Sequence, residues 1–261
     1  MLWSMLTLPQ LLPTFVLVLM RVTGLVLTAP LLSDRSIPRR LRVALTLGMS
    51  AVLFPLVAST APQDLTMQEA LFGVFWELVI GATIGLGLTI VLAGVVLAGT
   101  MIGQQAGIGL AQVFNPTLES QTSVMGQLYF VVAMLAFLAA GVHRAMIQAL
   151  LDTFTIIPLL SFQAGDSIVV LLAELLAGAF SVGIRLAGPA LVALMLTSLT
   201  LGFLSRTIPQ LNILSVGFAI RTMVALAAAG VSLMAADDLL LDAADQALML
   251  IRATFGLEAG R

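Results

Sequence analysis

Between Glu77 and Glu119 the chain carries no charged side chain, and residues 120–142, 186–205 and 222–236 are likewise free of charge. Stretches of this length cannot present a hydrated surface. Each is long enough, or nearly so, to cross the ~30 Å hydrocarbon core of a bilayer, which takes about 20 apolar residues in a helix. In lipid the backbone must satisfy its own hydrogen bonds, and an unbroken helix does so within one segment. Charged residues make up 9% of the chain and apolar ones 60%, against roughly 25% charged in soluble domains, and the mean hydropathy is +1.13. The expected fold is all-α: a polytopic membrane protein of long, kinked helices and helical hairpins.

The residue inventory excludes several kinds of chemistry. A net charge of −2 gives no basic face for nucleic acid. All eleven basic residues are Arg, so no Walker A lysine is available. Without Cys and with His143 as the single His, neither a disulfide framework nor a zinc site of several His or Cys can form. A Ser-His-Asp arrangement would have to use His143 and Asp152, yet nothing nearby resembles a nucleophile elbow. No enzyme, no cofactor and no metal are expected. No basic n-region precedes the apolar run within Met1–Leu12, so a cleaved leader is not expected.

Charged and turn-forming residues divide the chain. A first apolar segment, 11–33, is interrupted by Arg21. It is followed by a basic loop over 34–42 that holds Arg35, Arg39, Arg40 and Arg42 against Asp34. A second segment covers 43–60, and Pro62, Asp64 and Glu69 lie in the connection after it. The run from Ala70 to Val113 would extend ~66 Å as one straight helix, so it is expected to tilt, break or leave the bilayer plane. Residues 114–123 form the most polar internal loop. Runs 124–142 and 145–161 are divided by His143-Arg144, and 167–205 contains Gly188-Pro189, an expected kink because proline removes a helix hydrogen bond. The turn Ser205–Pro209 leads into 209–236, and Asp237, Asp238, Asp242 and Asp245 mark an acidic tail, 237–261. With the basic 34–42 loop cytoplasmic, arginine bias accommodates roughly six crossings, provided that 145–161 does not cross.

Three groups of residues stand out. Gly99, Gly103 and Gly107 recur every fourth position, preceded by Gly81 and Gly85, a spacing that lets helix backbones approach closely in lipid. The partner is either another helix of the chain or another subunit. Gln104, Gln105 and Gln112 nearby should find protein or water, since unpartnered amides are costly in hydrocarbon. Arg21, Glu77, Asp152, Glu174, Arg185 and Arg221 lie at membrane depth, where charges face a bundle interior or a wet cavity; individual ion pairs are the simplest expectation. Met101, Met125, Met134 and Met146 read as adaptable packing.

The order of these segments resembles a known family. Phe15 through Gly24 with Arg21 inside it, then Ala29-Pro30 and the Arg35–Arg42 loop, is similar to the N-terminal signature of the FliR family. So are Ile102–Gly107, leading through Phe114-Asn115-Pro116 to Gly126-Gln127, and the run Arg206–Phe218. The resemblance implies a subunit of the flagellar type III export gate, in the bacterial inner membrane at the flagellar basal body, acting as part of a hetero-oligomer with FliP and FliQ. It implies further association with FlhB and FlhA, and passage of unfolded flagellar proteins. It also implies one FliR-type domain over 1–261, with a FliP-like part at 1–162 and a FliQ-like hairpin at 163–236. A loop at about 107–123 would plug the resting channel and includes Gly107, Gly109, Phe114, Asn115, Pro116 and Glu119. The cytoplasmic turn would comprise Arg206, Pro209, Gln210 and Asn212. Glu119 is unusual for a plug, because it carries a charge.

Two other readings are open to the sequence. An injectisome homologue of the same family would export effectors instead of flagellar subunits. A small-molecule secondary transporter, built from paired broken helices, would use the Gly-rich run at 70–113 and the kinked run at 167–205. A transporter should purify alone or as a small homo-oligomer, whereas an export-gate subunit should come with its partners.

Overall fold

The computed structural model describes residues 8–33, 37–57, 67–108, 123–161, 167–208 and 213–256. Among these residues the secondary structure is entirely helical: α1 Leu8–Thr28, α2 Arg39–Val57, α3 Met67–Ala106, α4 Val124–Ala139, α5 Val142–Ile156, α6 Ser167–Thr207, α7 Ile213–Met234 and α8 Ala236–Thr254. Four helices are long and apolar enough to span a bilayer (α2, α3, α6 and α7), and a fifth span results if α4 and α5 count as one broken crossing. The protein is an all-α polytopic membrane protein.

The two long runs are each one continuous helix. α3 continues unbroken for 40 residues and α6 for 41, each ~60 Å at 1.5 Å per residue, about twice the hydrocarbon thickness. Pro189 lies inside α6 without ending it. α3 stops at Ala106, short of the expected Val113, because Gly107 takes up a left-handed φ of +84°. There Ile108 N–H donates to the Gly103 carbonyl and Gly107 N–H to that of Gln104, at 3.1 and 3.0 Å, the bond pair of a Schellman C-cap. Between α4 and α5 the break falls at Gly141, φ +76°, rather than at His143-Arg144. The acidic tail is not an irregular extension: most of it is the amphipathic helix α8.

Hydroxyl side chains within the apolar helices return their hydrogen bonds to the preceding turn, and so need no water. Thr23, Thr46, Ser50, Thr83 and Thr100 each donate to the carbonyl four residues earlier, at 2.6–2.8 Å, a geometry that Ser and Thr adopt inside helices. α4 begins at Ser123, whose Oγ accepts from Gly126 N–H at 3.3 Å, the usual way to satisfy an orphan donor in the first turn.

Contacts divide the chain into two units, each discontinuous in sequence. The first comprises Met1–Ile90, Gly141–Leu175 and Ala244–Arg261; the second comprises Val91–Ala140 and Leu176–Ala243. In the first, Leu17, Val18, Val22 and Leu25 of α1 are buried, as are Ile80, Ile84 and Leu88 of α3, Leu150 of α5 and Ile251 of α8. Phe15 meets Phe54 of α2 edge to face, with ring centroids 5.6 Å apart. In the second unit, Val95, Ala98 and Ile102 of α3, Tyr129, Ala133 and Phe137 of α4, and Leu186, Ala190 and Leu194 of α6 are buried. Each set follows the 3.6-residue period of a helix with one packed stripe.

Candidate functional site

In the first unit two of the membrane-depth charges, Arg21 and Glu77, meet in a buried pair. Arg21 on α1 and Glu77 on α3 are 0% and 1% exposed, and Arg21 Nε donates to Glu77 Oε2 at 2.5 Å. The other guanidinium nitrogens donate to Thr153 Oγ1 at 3.3 Å and to the Ile157 carbonyl at 3.2–3.3 Å. Arg21 Cζ lies 4.3 Å from the Phe154 ring centroid, a cation–π approach. Glu77 Oε1 accepts the backbone N–H of Leu160 at 3.2 Å. Among the described residues Leu160 is the one non-glycine with positive φ, +69°, a conformation unfavourable for a branched side chain. One ion pair therefore ties α1, α3 and the end of α5 to the segment 157–161.

That ion pair sits where two backbones nearly touch. A Cβ on Gly81 would fall on the Arg21 carbonyl oxygen and lie 3.0 Å from Leu25 N; one on Gly24 would lie 2.7 Å from Ala82 N. One turn along, a Cβ on Gly85 would lie 2.6 Å from Ala29 N. Thr28 Oγ1 donates to the Ala82 carbonyl at 3.0 Å, and Thr89 Oγ1 to the Thr28 carbonyl at 2.6 Å. Glycine at these positions is required by closeness, not by φ.

The second unit repeats the device. Gly94 faces the Ala179 backbone, and a Cβ on Gly183 would lie 2.9 Å from the Gly94 carbonyl oxygen, so α3 and α6 are in near backbone contact. Gly99 faces Met125 and Gly126 of α4, while Gly103 faces Ser123 and Met125. Of the two partners the sequence left open for this stripe, these two glycines meet the chain's own α4. Gly107, the third member, is the cap residue of α3. Ser232 Oγ on α7 donates to the Leu186 carbonyl on α6 at 2.5 Å.

The remaining predicted residues are dispersed. Gln104 and Gln105 are exposed in the last turn of α3, and Arg206 in the last turn of α6. Gly109, Phe114, Asn115, Pro116 and Glu119 of the expected plug, and Pro209, Gln210 and Asn212 of the expected turn, lie outside the described residues. Asp152 on α5 pairs with Arg252 on α8 at 3.3 Å, both well exposed. Glu174 and Arg185 are exposed on α6, and Arg221 on α7 is partly buried; Arg221 Nε has no hydrogen-bond partner among the described residues. The Arg21–Glu77 pairing was not foreseen, although opposite lone charges in otherwise apolar helices were the available signal. Arg252→Ala should cost no more than ~1 kcal/mol, since a solvent-screened pair contributes little; a fall in Tm of many degrees would show that α8 depends on this contact.

The family described as bacterial export proteins, family 1, matches residues 12–247. Flagellar biosynthetic protein FliR of Escherichia coli (strain K12) is 31% identical over 220 residues, covering 84% of this chain and 81% of that protein. The chain belongs to the FliR family. The proteins of the same name from Caulobacter vibrioides and Bacillus subtilis (strain 168) are 28% and 26% identical, over 83% and 82% of this chain and 87% and 84% of theirs. The match extends from α1 into α8, so the Arg21–Glu77 cluster, the glycine contacts and most of the tail helix all lie within the part that defines this FliR-family chain.

Proposed function

We propose that this chain is a component of the flagellar protein export apparatus, embedded in the bacterial inner membrane, which assembles with FliP and FliQ around the path taken by unfolded flagellar subunits. FlhB and FlhA are its further partners. The relatives above carry the name flagellar biosynthetic protein, which favours the flagellar reading over an injectisome one. The structural observation that carries the assembly is the outward surface of α6. This helix is about twice as long as the bilayer core is thick, its apolar window is only 28% buried, and Glu174, Arg185 and Arg206 stand exposed on it. Ionised groups are expensive against hydrocarbon and settle against protein or water. A helix that projects them outward is shaped to be covered by other subunits.

In the same reading, the segment at about 107–123 closes the resting channel. Gly107 and the C-cap it makes on α3 give that segment a fixed point of departure. The test begins with tagged full-length chain isolated from native membranes in mild detergent. FliP and FliQ are expected with it, and loss of motility on deletion. Recovery of a stable chain alone, with motility intact in its absence, would overturn the reading. Shortening 110–122 in the assembled complex should raise ion conductance at rest; an unchanged conductance removes the plug assignment while leaving the assembly in place.

A further inference from the structure

We propose that α2 and α5 form a binding groove for an anionic phospholipid, an inference that rests on the membrane character of the chain and not on the export reading. α2 is attached by a narrow stripe, Thr46, Ser50, Leu53 and Val57, and only 22% of its apolar span is buried. Beside α5 its outward surface forms an open groove of about 620 Å³, lined by Leu45, Gly48, Val52 and Leu56 together with Ile147 and Leu151. The lining is almost wholly apolar, which suits hydrocarbon. Gly48 opens the middle of the groove, since a Cβ there would meet nothing within 4 Å.

Charge identifies the occupant. The groove begins at Leu41, within the first turn of α2, where Arg39 and Arg40 are exposed. An apolar channel starting beneath a cationic turn matches a molecule with a hydrocarbon chain and an anionic head. From Leu41 to Leu56 the groove follows α2 for ~22 Å at 1.5 Å per residue, enough for an acyl chain to descend through one leaflet of a ~30 Å core. With the basic segment 34–42 cytoplasmic, as its arginine content leads one to expect, this is the leaflet face where basic pockets at helix ends take anionic headgroups. The headgroup phosphate would lie at Arg39 and Arg40, and one acyl chain would lie over Gly48 and Val52.

The test uses the full-length chain, with whatever subunits purify alongside it. The protein is incubated with vesicles of phosphatidylethanolamine alone, or of phosphatidylethanolamine and phosphatidylglycerol in equal parts, re-extracted, and examined for retained phospholipid by native mass spectrometry. The wild type should retain phosphatidylglycerol in preference. The R39Q/R40Q double variant should lose up to roughly thirtyfold of that preference, the scale set by two basic residues near an anionic surface, while still holding lipid. Gly48→Trp should reduce retention of both lipids with Tm unchanged, because it fills open space. Absence of preference in the wild type, or variants indistinguishable from it, would overturn the proposal. A photocrosslinker at Val52 should give lipid adducts in native membranes; protein adducts alone would show that a partner helix occupies the groove and would equally overturn it.

Discussion

Glu77→Ala is expected to destabilise the protein by about 3–5 kcal/mol, the range for removing one partner of a buried ion pair. That is a large part of the total stability of a typical domain. The substitution strands the Arg21 guanidinium, which has no neutral form to retreat to, and leaves Leu160 N–H without its acceptor. Arg21→Ala should be less damaging, since Glu77 keeps its bond to Leu160 N–H. The double variant R21M/E77L should recover part of the loss, because apolar replacements of similar volume often substitute for a buried pair. Thr153 and the Ile157 carbonyl would still lose a donor. The readouts are Tm in detergent, the amount of folded chain in membranes, and spreading in soft agar. If Glu77→Ala leaves all three near wild type, the cluster does not hold this unit together.

Gly81→Leu is the second large effect expected. An added side chain would have to displace the Arg21 backbone, which can yield only if α1 and α3 separate. Overpacking typically costs 1–3 kcal/mol and occasionally more; here about 3 kcal/mol or more is expected, because the obstacle is main chain rather than a side chain that can rotate away. Separation would also stretch the Arg21–Glu77 bonds at the same crossing, so Gly81→Leu and Glu77→Ala should be markedly non-additive. Gly178→Leu is the matching control: its Cβ position meets nothing within 4 Å, and removing a helix-interior glycine is by itself mildly favourable. Equal damage from Gly178→Leu and Gly81→Leu would mean that packing within the chain is not what Gly81 serves.

The sequence declared the solvent and the class of fold, because long uncharged stretches admit so few alternatives. The spacing of Gly81, Gly85, Gly99 and Gly103 announced close helix contacts, and Arg21 and Glu77 were visible as isolated charges. What it did not reveal was pairing. Fifty-six positions separate Arg21 from Glu77, and no local pattern links residues that meet only through tertiary packing. The break between α4 and α5 was placed at His143-Arg144, where polarity changes, but it occurs at Gly141, where the backbone turns left-handed. α8 was read as an acidic tail because its aspartates are conspicuous. Ala244, Ala247, Leu248 and Ile251, all buried, give an apolar stripe at helical spacing that those charges obscured. The extent of α6 was legible, 167–205 in the sequence against Ser167–Thr207 in the fold, whereas α3 ends at Ala106 and not at Val113 because Gly107 turns left-handed.

The first unit is made from three separate stretches of the chain, and the last of them, beginning at Ala244, includes most of α8. During synthesis this unit stays unfinished until the stretch from Ala244 has left the ribosome, so the early helices wait on a segment that begins 167 positions after Glu77. Contacts so distant in sequence form late and carry a large loop-closure cost. A nonsense or frameshift lesion near residue 240 would then spoil the oldest part of the molecule as well as the newest, leaving little for the cell to salvage.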